Sequence, residues 1–255
     1  TNGEKCDPGN YRPISLLSSC NKIFEKLICR KLLCFLEINN ILFTFQFGFR
    51  VLHSTTLALI DLVDNIRRLL DEGNFVFGLF IDLSKAFDTV DHEILLHKLN
   101  YYGIRGHAND FFRSYLTNRR QFVIVNGVKS GLKEITCGVP QGSVLGPILF
   151  LIYINDLFKA IGDDELLRLF ADDTGLFNYD KDLTALLGKA KKSFIDLYKW
   201  CESNKLTINN DKTCFLLFHT RKKKIPPEIN KLFFEELGFA IKRVSKIGRA
   251  SCRER

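Results

Sequence analysis

The sequence predicts an α+β fold in which a small antiparallel sheet is backed by helices. Three patterns predict it. Long segments carry apolar residues at helical spacing, most cleanly Leu183, Leu186, Leu187, Ala190, Phe194, Leu197 and Cys201 over 183–203. Short apolar runs such as Val76 to Ile81 and Cys214 to Phe218 have the length and composition of strands. Turn signals, Asn126-Gly127 and Ala171-Asp172-Asp173, join neighbouring runs as hairpins.

Taken in order, residues 15–38 hold Leu16, Leu17, Ile23, Leu27, Ile28 and Leu32 in a helical rhythm. Ser54 suits the cap of a helix whose apolar face is Leu57, Ile60, Val63, Ile66 and Leu70, with Gly73 ending it. Val76 to Ile81 is a strand buried on both faces that delivers Asp82 at its end. Residues 92–102 and 106–117 form two short helices separated by Gly103 and Gly106. Phe122 to Val125, Asn126-Gly127 and residues 128–136 make a hairpin. Ser143 to Ala160 reads as one mostly apolar helix, with Pro147 in its first turns, where proline is tolerated. Leu166 to Phe170, the Ala171-Asp172-Asp173 turn and Thr174 to Phe177 give strand, turn, strand. After the helix over 183–203, Leu206 to Ile208 and Cys214 to Phe218 are short strands.

At 255 residues and 46% hydrophobic, the chain can bury a sizeable core without long disorder. A net charge of +8 favours an anionic partner, but nucleic acid, an anionic membrane surface and plain solubility all satisfy it. The longest apolar stretch, Val144 to Ile154, falls short of the roughly 20 residues a membrane span needs, so no membrane partner is expected. The cysteines are scattered with no C-x-x-C pair, as expected of free thiols in a reducing compartment. With no methionine even at position 1, the chain is expected to be a piece of a larger reading frame.

The chemistry concentrates at carboxylates beside apolar strands. Asp82 ends one such strand, and Asp172 and Asp173 sit side by side between two others. An ionised carboxylate avoids apolar surroundings unless paired or metal-bound, and two adjacent ones repel unless a cation relieves them. Phosphoryl transfer by two metal ions about 3.5–4 Å apart calls for such a set. Magnesium takes hard oxygen ligands and needs few carboxylates beside waters and phosphate oxygens. An Asp-Asp turn alone is also a common solvated loop. Its neighbours decide the matter.

Asp82 with Phe87, then Gly138-Val139-Pro140-Gln141-Gly142-Ser143, then Phe170-Ala171-Asp172-Asp173 resemble, in order and spacing, the motifs of reverse transcriptases. The details resemble the LINE-type (non-LTR) retrotransposon branch. Tyr11-Arg12-Pro13-Ile14-Ser15-Leu16 is similar to its first fingers motif, and Gln46-Phe47-Gly48-Phe49-Arg50 with His53-Ser54-Thr55-Thr56 to its second. Asp82 through His92 resembles the first palm motif. Gly146-Pro147 with Tyr153-Ile154-Asn155-Asp156, and Asn204 through Asn209 with Lys212-Thr213, continue the series.

The resemblance implies a right-hand polymerase fingers and palm, copying an RNA template onto a DNA primer with dNTPs. Its cofactor would be two Mg2+ ions, with Mn2+ a substitute. The metal ligands would be Asp82, Asp172, Asp173 and the Leu83 carbonyl. Phe87 would lie under the incoming sugar and exclude a 2′-hydroxyl. Arg50 would meet the triphosphate, with Lys22 and Arg12 assisting. Gln141 and Gly142 would line the nucleotide pocket, and Lys212 would protonate departing pyrophosphate. Basic segments such as Arg67-Arg68, Arg119-Arg120, Lys191-Lys192 and Arg221 to Lys224 would follow the nucleic-acid backbone without reading sequence.

The resemblance segments the chain as fingers over 1–74, palm with the first Asp over 75–99, and a fingers–palm connection with the hairpin over 100–140. The palm with the Asp-Asp turn spans 141–220, and an incomplete approach to the primer grip spans 221–246. Leu237-Gly238 is the nearest stand-in for the grip. Residues 247–255 read as a non-native tail, and a thumb is expected to be missing. The expected location is intracellular, in cytoplasm or nucleus, within a retrotransposon ribonucleoprotein. Two alternatives stand beside polymerase activity: an inactive nucleic-acid-binding relic, and a related templated polymerase such as an intron maturase.

Overall fold

The computed structural model describes residues 11, 14–162, 165–223, 225, 229, 231–234 and 239–244. Arg12, Leu237-Gly238 and the tail at 247–255 lie outside them. The chain divides into two units, Thr1–Leu42 with Lys85–Ile154, and Phe43–Ser84 with Asn155–Arg255. Both mix α and β, as the sequence pattern predicts. Among the described residues no helix is long and apolar enough to cross a membrane. The six cysteines among them are free thiols.

The first unit is mainly helical, with two short two-stranded ladders. Helix α1 (Ser19–Ile38) starts where the Ser18 hydroxyl accepts the Asn21 N–H. Helices α3 (His92–Tyr101) and α4 (His107–Leu116) follow, with Asp91 capping α3. The Asn126-Gly127 hairpin forms in two pieces. Strand β2 (Arg120–Gln121) pairs with β5 (Lys133–Glu134), and β3 (Ile124–Val125) with β4 (Val128–Lys129). The ladder breaks because the Ser130 hydroxyl, not a carbonyl, takes the Val123 N–H.

Helix α5 (Leu145–Ile154) is apolar all round, and nine of its ten residues are buried. Its two ends meet buried charges. At its start, Glu25, only 1% exposed, accepts the Val144 N–H at 2.6 Å and the Tyr115 hydroxyl at 2.9 Å. Near its end, the buried Lys98 ammonium donates to the Tyr153 carbonyl at 2.6 Å. An anion at the N-terminus and a cation at the C-terminus are the favourable polarity for a helix dipole. Burial pushes the Tyr115 phenol up to about 12, so it remains a donor to Glu25.

The continuous helix expected over Ser143 to Ala160 therefore does not form. It stops at Ile154, and a separate 3-10 turn spans Leu157–Ala160. In the second unit the buried Asn155 side chain instead accepts the Phe43 N–H.

The second unit is a six-stranded sheet in the order β6-β7-β1-β8-β10-β9. Its strands are β1 (Phe75–Ile81), β6 (Leu166–Phe170), β7 (Asp173–Asp180), β8 (Cys214–Phe218), β9 (Lys231–Phe234) and β10 (Phe239–Arg243). Among the described strands of this sheet, β8 and β10 pair in parallel and the other neighbours are antiparallel. The expected strand over Leu206 to Ile208 is reduced to one bridge between Leu83 and Ile208. Asp173 opens β7 instead of standing in the turn.

Both faces of β1 are covered. Helix α2 (Thr55–Asp71) sets Ile66 and Leu69 against Val76 and Phe177. On the opposite face Phe77 stacks on Phe215 at 4.9 Å. Asn178 sits opposite Phe77 in the register and donates to Ser193 of helix α6 (Leu183–Ser203), so α6 covers that face. The expected apolar face of α2 is only half used. Leu57, Ile60 and Val63 are 47%, 53% and 48% exposed, because the sheet lies under the C-terminal half of the helix.

Two outcomes follow. Glu25→Ala strands the Val144 and Leu145 N–H groups and the Tyr115 hydroxyl in the interior, and should cost about 3–5 kcal/mol in urea unfolding. Burial also raises the pKa of Glu165 above 4.5, against the opposing pull of its Ser193 hydrogen bond. The folded chain holds that proton more tightly than the unfolded one. Stability should therefore fall as pH rises from about 4.5 through the folded value, then level off. Glu165→Gln should flatten the fall in urea midpoint over that window; an unchanged slope would assign it elsewhere.

Candidate active site

The acidic residues converge through the sheet register. Along the β1–β7 pair Phe80 faces Gly175 and Ile81 faces Thr174, so the next step brings Asp82 level with Asp173. Asp172 stands one residue before it, in the two-residue turn closing Phe170 onto Asp173. All three carboxylates are half-buried. The juxtaposition is one of backbone: among the described residues no three His, Cys, Asp or Glu side chains gather into a metal-holding group. The donors themselves are hard oxygens on adjoining strand ends, and Asp82 is hydrogen-bonded from outside by Asn209, as ligating carboxylates are.

The turn is held by a segment of chain that runs beside it. Ala171 adopts φ 56°, a left-handed conformation that costs a non-glycine residue about 1–3 kcal/mol. The Gln46 side-chain oxygen accepts the Ala171 N–H at 2.9 Å and the Gly48 N–H at 2.8 Å. Backbone bonds from Phe47 to Leu169 and from Leu169 to Phe45 fix this segment along β6. At Gly48 a Cβ would stand 2.2 Å from the Ala171 nitrogen, so no other residue fits without moving the turn.

Around Asp82 the chain is laddered to residues 207–209. Ser84 donates to the Thr207 carbonyl and Asn209 to the Asp82 carbonyl, each at 2.8 Å, on either side of the Leu83–Ile208 bridge. Leu83 is buried there. The Asp82 N–H donates to the Thr213 hydroxyl.

Of the other candidates in this unit, Arg50 donates to the Phe43 and Gln46 carbonyls and so braces its own loop. Lys212 is exposed in the turn before β8.

In the first unit, Phe87 is half-buried and stacks on the fully buried Phe150, with centroids 4.5 Å apart. The chain after Phe87 is stitched to the glycine-proline loop. Val139 donates to the Phe87 carbonyl, Gly138 to the Val90 carbonyl, and Gln141 Nε2 to Asp88 Oδ1 at 2.8 Å. Gly142 is exposed at φ 94°, a conformation that favours glycine. Lys22 is exposed on the first turn of α1.

Gln46, Gly48, Asn209 and Glu25 escaped the sequence reading as site-building residues. Gln46, Gly48 and Asn209 lay in recognised stretches, but their partners are far away in the chain and no local pattern marks them.

The family model described as reverse transcriptase (RNA-dependent DNA polymerase) matches residues 3–241. The chain is 33% identical over 229 residues to the RNA-directed DNA polymerase from mobile element jockey of Drosophila melanogaster, covering 86% of this chain and 25% of that protein. It is also 33% identical to the probable RNA-directed DNA polymerase from transposon BS of the same fly, covering 90% and 26%. The chain thus spans about a quarter of the length of these relatives. Its fold is similar to the truncated apo telomerase of Candida tropicalis, with TM-score 0.57 at 16% identity, over 87% of this chain and 44% of that one. The telomerase of Candida albicans gives 0.54 at 17% identity, over 85% and 36%.

The Gln46 clamp is directly testable. Gln46→Ala leaves the buried Ala171 N–H unpaired and should cost about 1–3 kcal/mol in urea unfolding. Gly48→Ala drives a methyl into the turn and should cost more than Gln46→Ala; a smaller loss would show the turn to be freely adjustable.

Proposed function

This chain belongs to the reverse transcriptase (RNA-dependent DNA polymerase) family, and we propose that it carries the polymerising core of a non-LTR retrotransposon enzyme. The reaction is RNA-templated DNA synthesis. The primer 3′-oxygen forms a bond to the α-phosphorus of a deoxynucleoside triphosphate, the bond from that phosphorus to the bridging oxygen breaks, and pyrophosphate leaves. The observation that carries this reading is the register that brings Asp82 level with Asp173, beside Asp172.

In this reading Asp82, Asp172 and Asp173, with the Leu83 carbonyl, hold two magnesium ions. Bound there, the ions supply charge neutralisation for the triphosphate and a more acidic 3′-hydroxyl. Phe87, braced by Phe150, excludes a 2′-hydroxyl under the sugar. Gln141, oriented by Asp88, and Gly142 line the nucleotide pocket. Arg50 meets the triphosphate with Lys22 and Arg12 assisting, and Lys212 protonates the leaving group. Residues 1–74 serve as the first part of the fingers, 100–140 as the fingers–palm connection, and 75–99 with 141–220 as palm. RNA template and DNA primer are held through their phosphates by exposed basic residues such as Arg67, Arg68, Lys191 and Lys192.

Primer extension on an RNA template tests the reading. Asp82→Asn and Asp172→Asn should each reduce magnesium-dependent extension to background while leaving the urea midpoint near that of the parent chain. A variant extending at the parent rate would remove the carboxylate assignment. Phe87→Ala should raise ribonucleotide use relative to deoxynucleotide use, and an unchanged ratio would take the sugar-excluding role from Phe87.

A further inference from the structure

Asn209 places every polar group it has. Its N–H donates to the Asp82 carbonyl at 2.8 Å, and its side-chain Nδ2 donates to Asp82 Oδ2 at 3.0 Å. Its Oδ1 accepts the Asp211 N–H at 3.2 Å, and its carbonyl accepts the Thr213 N–H at 3.0 Å. The Asp211 bond fixes which end of the amide is which: Oδ1 must face that N–H, so Nδ2 must face the carboxylate. The loop is closed onto Asp82 a third time by Thr213, 2% exposed, whose hydroxyl accepts the Asp82 N–H.

Two jobs are therefore combined in one side chain. The Oδ1 bond to a backbone N–H two residues on is an Asx turn, and it builds the loop. The Nδ2 bond contributes nothing to that turn. It reaches across to a carboxylate distant in sequence and fixes the rotation of that group about its own axis.

We propose that Asn209 is the positioning residue for Asp82, holding its carboxylate in the orientation that receives a divalent cation. This rests on the proposed function, which makes Asp82 a metal ligand. In this role Asn209 acts through Asp82, to which its side chain and its backbone N–H are bonded. Loss of a hydrogen-bonding partner behind a metal ligand typically weakens metal affinity by roughly 10- to 100-fold.

The test separates the two jobs on the full 255-residue chain. In Asn209→Ser the hydroxyl can still accept the Asp211 N–H but is too short to reach Asp82, whereas Asn209→Ala loses both bonds. Mn2+ binding is followed by the loss of free-ion electron paramagnetic resonance signal, and folding by thermal melting. Asn209→Ser is expected to melt near the parent chain yet bind Mn2+ roughly 10- to 100-fold more weakly. Asn209→Ala should bind equally weakly and also melt lower. Parent-like Mn2+ affinity in Asn209→Ser would overturn the positioning role alone, leaving Asp82 as a ligand. A parent chain that binds no Mn2+ would overturn the metal reading and this inference together.

Discussion

Everything in the acidic site depends on one strained turn. Strands β6 and β7 are joined by only two residues, and the first of these, Ala171, must go left-handed for the second to present a carboxylate. Alanine gains nothing from that conformation, and two adjacent aspartates add repulsion. The compensation comes from outside the hairpin, in the Gln46 amide that takes the Ala171 N–H and in a glycine that lets another backbone lie against it. A buried donor satisfied by a side chain is a firm constraint, since leaving it unmet costs more than the bond itself yields. The turn therefore keeps its shape only while the segment over 45–48 stays in place.

The two units solve the same problem with different means. In the second, a sheet sets positions by register, and the acidic ends inherit their level from hydrogen bonds made further along the strands. In the first, a loop is stitched to the chain following Phe87 by separate backbone and side-chain bonds, with an aromatic stack behind the phenylalanine. Register is set by repetition and tolerates the loss of one contact. Stitching relies on each bond in turn, so single substitutions there should have sharper local effects.

What the residues disclosed in advance follows from where their partners are. Helix α6 and strands β1 and β8 were legible because their signals are local: a stripe at 3.6-residue spacing, or a short apolar run. Asp82, Asp172 and Asp173 stood out because carboxylates next to buried strands are hard to explain structurally. The helix expected over 143–160 broke at Asn155, whose partner Phe43 is 112 residues away. Gln46 and Ala171 are separated by 125 positions, and Asn209 and Asp82 by 127. No window of sequence contains both members of such a pair. For α2 the apolar stripe is visible in the sequence, but periodicity cannot tell how much of a stripe its neighbours cover, and here only its C-terminal half is buried.

Helix α5 has a further consequence. An amphipathic helix is oriented by its stripe, but a cylinder that is greasy on every side could rotate or slide within its socket with little change in buried area. Glu25 and Lys98 act as stops at its two ends. A shift of one residue along the axis is about 1.5 Å, enough to detach a hydrogen bond at either end. The Gln141-Gly142 loop lies just ahead of the helix, so its depth is set by where those stops fall. Axial registration of an otherwise featureless rod is thus assigned to two charges that the hydrophobic pattern alone would never call for.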